Sequence, residues 1–168
     1  MDNPKIYVAC LAAYNSGVHH GAWIDATQSL YDIYTSISDM LAQSPIDAAV
    51  EWIVHDYSGF GEARLNEYEH IENVNKIAEF IAEYGELGAT LLGEYSVDDA
   101  QTLLEECYHG AYNSKVDFAC IFFDECYNND IPNNLIDYID HAAFAHDLFI
   151  NDYFSVEANG QIHVFSNF

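Results

Sequence analysis

Two rhythms of apolar positions run along the chain, one with the period of a strand and one with that of a helix. Ile6 to Ala13 is a nearly unbroken apolar run of strand length, followed by the loop Asn15-Ser16-Gly17 and a short strand around Trp23-Ile24. Gln28 to Leu41 has helical spacing at Leu30, Tyr34, Ile37 and Leu41 and is closed by the break at Ser44-Pro45. Val50 to Tyr57 (VEWIVHDY) again reads as a strand, and Ser58-Gly59-Phe60-Gly61 marks a boundary behind it. The first sixty residues thus predict a small mixed unit.

From Glu67 to Tyr84 the period becomes that of a helix. Ile71, Val74, Ile77, Ala78, Ile81 and Tyr84 share one face. Opposite them stand Glu69, Glu72, Glu79, Glu83 and Glu86, interrupted by Lys76, within an arc of about 110° at about 100° per residue. Gly85 and Gly88 end or interrupt this helix. Ser96-Val97-Asp98-Asp99 is a capping box that opens another, which Gly110 can terminate. Ser114-Lys115-Val116-Asp117 repeats the box and predicts a helix through Cys126. Asp130 can cap the next helix with Pro132 in its first turn, and Asp140 can cap a short one through Leu148. Tyr153–Val156 and Gln161–Phe165 flank Asn159-Gly160, the strongest hairpin signal in the chain. The expected fold class is α+β, with units at 1–60, 61–103 and 104–168: a β-rich mixed unit, a helical middle, and helices with a terminal hairpin.

Charge changes this picture. The chain has 28 Asp and Glu against four Lys and Arg, a net charge of −24, with 51% hydrophobic and 15% aromatic residues. That much apolar material excludes disorder. Self-repulsion at −24 destabilises a compact state, so the fold itself does not call for it. The charge is spread as −6, −8 and −10 over the three expected units, with no acidic tail. Such a surface repels nucleic acid and anionic membranes and attracts cations or a strongly basic protein. Duplex DNA carries one charge per roughly 1.7 Å of axis, so this net charge corresponds to about 40 Å of duplex. On a helix face, side chains recur every 5–6 Å or so, near the spacing of neighbouring phosphates.

Candidate chemistry of other kinds is weak. Asp137, Asp140, His141, His146 and Asp147 cluster, with Asp137 and His141 at i,i+4, but there is no HExxH, EF-hand loop or CxxC pair, and the expectation is no metal and no cofactor. His19-His20 reads as an incidental loop pair. Cys107 and His109 face apart at i,i+2 on a helix, and no nucleophile elbow, phosphate loop or dinucleotide fingerprint is found, so no catalytic residues and no enzymatic activity are expected. Cys10, Cys107, Cys120 and Cys126 read as free buried thiols. With the acid at position 2 and the short apolar run of MDNPKIYVACLAAY, they point to the cytoplasm, and no stretch reaches the length of a membrane span.

The segment IPNNLIDYIDHAAFAHDL, Ile131 to Leu148, resembles the antirestriction motif of the ArdA proteins of mobile genetic elements through Pro132, Leu135, Tyr138, Asp140, Ala143, Ala145, Asp147 and Leu148. YVACLAAYNSG, GAWID, IVHDYSGFGEARLNEYE, IAEYGELG and HVFSNF agree in order, so the resemblance spans essentially the whole chain. Ala142 stands where an acid is common and His146 where arginine is common.

The resemblance implies an elongated, curved chain of three small domains. It implies a homodimer with the motif near the subunit interface. It also implies a DNA mimic that occupies the DNA-binding groove of the specificity and methyltransferase subunits of type I restriction–modification enzymes. The candidate phosphate-mimicking acids are Glu62, Glu67, Glu69, Glu72, Glu79, Glu83, Glu86, Glu94, Asp98, Asp99, Glu105, Glu106, Asp117, Asp124 and Glu125. The candidate motif and dimer residues are Pro132, Leu135, Tyr138, Asp140, Phe144, Asp147 and Leu148. The competing reading is an acidic binding module for another basic DNA-binding protein or nuclease.

Overall fold

A computed structural model describes residues 2–47, 49–65, 69–127 and 130–167. The chain divides into two compact units, Met1–Val97 and Asp98–Phe168. Each builds its own three-stranded antiparallel sheet, and among the described residues the chain carries seven α-helices. The fold class is α+β, as the sequence predicts.

In the first unit β1 (Lys5–Cys10) lies between β2 (Gly21–Asp25) and β3 (Trp52–Ser58), antiparallel to both. The apolar run predicted as one strand to Ala13 turns into a short helix, α1 (Leu11–Asn15), directly after Cys10. An unbroken apolar run fits a buried strand and a buried helical turn equally well, so periodicity could not separate them. Ile6, Val8 and Cys10 are fully buried on one face of the sheet, where α2 (Leu30–Ala42) packs on β1 and β2 with Ile33, Ile37 and Met40. The Ser29 hydroxyl caps α2 by accepting from the Asp32 N–H.

The long helix α3 (Ile71–Leu91) starts at Ile71, with His70 in extended backbone at its N-cap and Glu69 outside it. It is broken at Gly85, whose φ of 61° and ψ of −137° lie outside the helical region. Asn75, nearly buried, donates to the carbonyls of Ala26 (2.7 Å) and Gln28 (3.0 Å), tying α3 to the segment between β2 and α2. Both carbonyls lie in the segment between β2 and α2, outside either element, so a buried amide there satisfies groups that are costly to leave unpaired in the interior.

From its second residue on, α4 (Val97–Thr102) belongs to the second unit, and it continues as one turn of π-helix over Leu103–Cys107. The helix predicted to run to Gly110 stops there, because Tyr108–Tyr112 forms β4. Gly110 (φ 118°) sits at a register shift in the pairing of β4 with the C-terminal strand. This partner lies some fifty residues further on, and the irregularity breaks the alternation that would have revealed a strand.

The hairpin of β5 (Tyr153–Ala158) and β6 (Gln161–Ser166) turns through Asn159 and Gly160, both at positive φ (53° and 74°), as expected of Asn-Gly. It joins β4 in the order β4-β6-β5. Helices α5 (Lys115–Cys126) and α7 (His141–Asn151) pack on each other around Phe118, Ala119, Ala145 and Leu148. The intervening α6 (Asn133–Ile136) is one turn long, with Pro132 rather than Asp130 at its N-cap. The proline ring disfavours helical ψ at Ile131, so no helix can be entered earlier.

Candidate functional site

Placement of the carboxylates is the property that a net charge of −24 calls for first. Every described Asp and Glu is exposed except Asp25, Glu69 and Asp117, which are half-buried; none is buried. The first unit holds fifteen acids and three bases and the second thirteen and one, so each carries −12. Of the candidate acids, Glu67 lies outside the described residues. Glu62 and Glu94 are exposed in loops. Asp98, Asp99, Glu105 and Glu106 are exposed on α4 and its π turn, and Asp124 and Glu125 near the end of α5.

Helix α3 sets the regular part of the array. At about 100° and 1.5 Å per residue, Glu72, Glu79 and Glu83 fall within about 40° of one another, rising by about 10 Å and then 6 Å along the axis. Glu69, before the first turn, and Glu86, beyond the Gly85 break, do not share that phase, so the continuous stripe drawn from sequence shortens to three acids. Several acids are held in place by donors. Tyr34 on α2 donates its hydroxyl to Glu72 at 2.7 Å. That bond, with burial and the neighbouring charge, pushes the Tyr34 phenol up to about 12 and holds the Glu72 carboxyl below its usual range. The Asn73 amide donates to Glu69 (2.7 Å), Gln101 to Glu105, and the Asn113 backbone and amide to Asp117. Burial, and after it the charge of Glu69, raises the Tyr57 phenol.

Ile131 to Leu148 separates into three kinds of residue. Phe144, Ala145 and Leu148 face the interior, where Phe144 meets the rings of Phe122, Phe123 and Tyr127 at 5.9–6.3 Å. Asp140 caps α7 by accepting from the N–H groups of Ala142 (3.1 Å) and Ala143 (3.0 Å). Pro132, Leu135, Tyr138 and Asp147 face solvent, with Leu135 48% and Tyr138 84% exposed. The run therefore combines a capped core helix with an apolar surface on the segment preceding it.

A scan against family models matches residues 6–163 to the antirestriction protein family ArdA. The chain belongs to the ArdA family. That family is one of antirestriction proteins, inhibitors of restriction enzymes, and not a known enzyme family. Among curated proteins none matches the chain.

In this ArdA chain the histidines near the motif have separate surroundings. Asp137 closes α6 and Asp140 opens α7, so Asp137 and His141 are not on one helix and their i,i+4 relation carries no facial meaning. The His141 ring packs edge-on against Phe123 at 5.2 Å. Among the described residues no group of three or more His, Cys, Asp or Glu is placed to hold a metal ion. His109 stands in β4 against Phe118 and Tyr153, while Cys107 ends the π turn. All four thiols are free, but only Cys10 and Cys107 are buried; Cys120 is half-buried and Cys126, in the last turn of α5, is exposed. A hydrogen bond with Ser44 (3.4 Å) pulls the Cys10 thiol down. No described helix is long and apolar enough to cross a membrane.

Sequence reasoning did not find Asn75, Tyr34 or His163. Asn75 and Tyr34 act through partners 38 to 49 residues away. His163 is buried in β6, where its Nδ1 meets the Tyr108 hydroxyl at 2.8 Å. Helical spacing groups Tyr34 with the apolar positions of α2 but gives no sign of its bond to Glu72, and no local pattern marks Asn75 or His163.

Proposed function

We propose that this ArdA chain is a DNA mimic that inhibits type I restriction–modification enzymes by occupying the DNA-binding groove of their specificity and methyltransferase subunits. The observation that supports this is the display of acids: −12 on each unit, with no described carboxylate buried. A restriction–modification enzyme gains much of its affinity for DNA by releasing counterions from phosphates. Carboxylates held on a folded scaffold offer the same charge without a bond to cut or a base to methylate. They also lose little entropy on docking.

Homodimerisation through the motif belongs to the same proposal. Leu135 and Tyr138 present apolar surface on a segment whose following helix is anchored in the core, an arrangement that suits a contact between subunits.

Displacement of labelled DNA from a purified type I enzyme tests the mimicry, run at about 0.05 and about 0.2 M salt. The expected outcome is displacement at low salt that weakens steeply at the higher concentration. Failure to displace DNA, or displacement indifferent to salt, refutes it. Binding to a different basic protein without type I inhibition would favour the alternative of an acidic module for another partner.

A further inference from the structure

The outer face of the first unit's sheet presents aromatic rings as well as charge. Across the three strands, Trp23 of β2 pairs with Tyr7 of β1, and Tyr7 pairs with Asp56 of β3, so the three side chains form one cross-strand row. This face is opposite the one that carries Ile6, Val8 and Cys10 against α2, because side chains alternate along a strand. The two rings lie 5.4 Å apart at 53°, and Trp23 is 50% exposed. Gly21 leaves room for the end of the Tyr7 ring: a Cβ there would stand 2.5 Å from the Val8 carbonyl oxygen and 2.8 Å from the tip of the tyrosine. At the end of the row Asp56 is exposed, its Oδ1 accepting from the Tyr57 N–H (2.8 Å); Asp25, one row away and opposite Lys5, accepts from both the Thr27 N–H and hydroxyl (2.9 and 2.6 Å) and is half-buried.

The geometry points to an arginine-binding platform: a guanidinium from a basic protein surface stacks on Tyr7 and Trp23 and pairs with Asp56. Strands lie about 4.8 Å apart, so a side chain lying over the two rings has the Asp56 carboxylate within reach of its head group. The complement is arginine in particular. Its planar, weakly hydrated cation combines ring stacking with a forked hydrogen bond to a carboxylate, while a lysine ammonium remains a hydrated point charge. A stacked nucleobase is a poor occupant, because a unit at −12 repels the attached phosphates. The platform rests on the reading of a basic DNA-binding surface as the partner and adds to it a contact that phosphate mimicry does not supply.

The test uses the full chain with Trp52→Phe, which leaves Trp23 as the only tryptophan, titrated with oligo-arginine and oligo-lysine peptides of equal length. Trp23 emission is expected to respond to the arginine peptide at roughly three- to tenfold lower concentration. Trp23→Ala and Asp56→Asn should each remove most of that preference, read as peptide affinity by calorimetry, and Trp23→Phe should retain it. Circular dichroism melts establish that each variant folds, and should Trp23→Ala not fold, Asp56→Asn and Trp23→Phe decide the matter. Equal response to both peptides, or an unchanged preference in Asp56→Asn, overturns the platform. Inhibition assays separate the two ideas. If the wild type inhibits a type I enzyme and folded Trp23→Ala inhibits it equally well, the platform fails and mimicry stands. If the wild type does not inhibit yet keeps the arginine preference, mimicry fails and the platform stands.

Discussion

Asp140 shows how much one side chain in the motif does for the fold. Its carboxylate accepts from two N–H groups at the start of α7, and α7 brings Ala145 and Leu148 into the second unit's core. Asp140→Ala should cost about 1 kcal/mol of stability by urea denaturation, and Asp140→Asn, which can still accept, much less. His163 is the other residue with a consequence for stability. Burial in β6 holds its imidazole below the ordinary value of 6.5. A histidine whose folded value is depressed binds its proton more readily when unfolded. Its contribution is therefore complete above about 6.5 and is lost as pH falls below that. Compared with wild type, His163→Gln should show a flatter fall in stability between neutral and mildly acid pH, measured by chemical denaturation at each pH.

At the level of elements, α3 joins two demands that conflict. Its buried face needs Val74, Ile77 and Ile81 at helical spacing, and its outer face holds Glu79 and Glu83 at i,i+4, a repulsive pair. Glu79→Gln should raise stability by about a few tenths of a kcal/mol while weakening inhibition slightly, as expected if the acids act collectively. The break at Gly85 is sharper. No heavy atom would lie within 4 Å of a Cβ there, but φ is 61°. Gly85→Ala should therefore cost about 1–3 kcal/mol through backbone strain alone, visible as a lower midpoint in thermal unfolding. In the second unit, Asn159-Gly160 and the Ser114 cap are local devices, and both lie where the sequence indicates. β4 depends on a remote partner and a register shift, and only the fold reveals it.

For the whole molecule, a single property couples stability to function in opposite directions. Mutual repulsion among 28 acids opposes folding, whereas the same acids draw in a basic partner. Added monovalent salt should therefore raise the melting temperature of the isolated protein while weakening its inhibition of a restriction enzyme. Melting curves and inhibition curves over one salt series check both signs. A melting temperature that falls with salt would argue against self-repulsion as the destabilising force.

The sequence alone determined what depends on composition and short-range pattern. The net charge, the α+β class, the caps at Ser114 and Asp140, the Asn-Gly hairpin and the ArdA motif all follow from residue identity at near-neighbour spacing. Carboxylate exposure was legible as well, because burying unpaired charge is costly enough to keep such groups at the surface. Tertiary structure decided how the residues meet. It took Glu69 and Glu86 out of phase with the acidic stripe, on either side of a helix whose break at Gly85 the sequence already marks, made a strand of Tyr108–Tyr112, split the motif into a core face and an exposed segment, and aligned Trp23, Tyr7 and Asp56 in one row. Each of these outcomes depends on pairing across many residues or on one backbone angle, and a linear pattern of apolar and polar positions records neither.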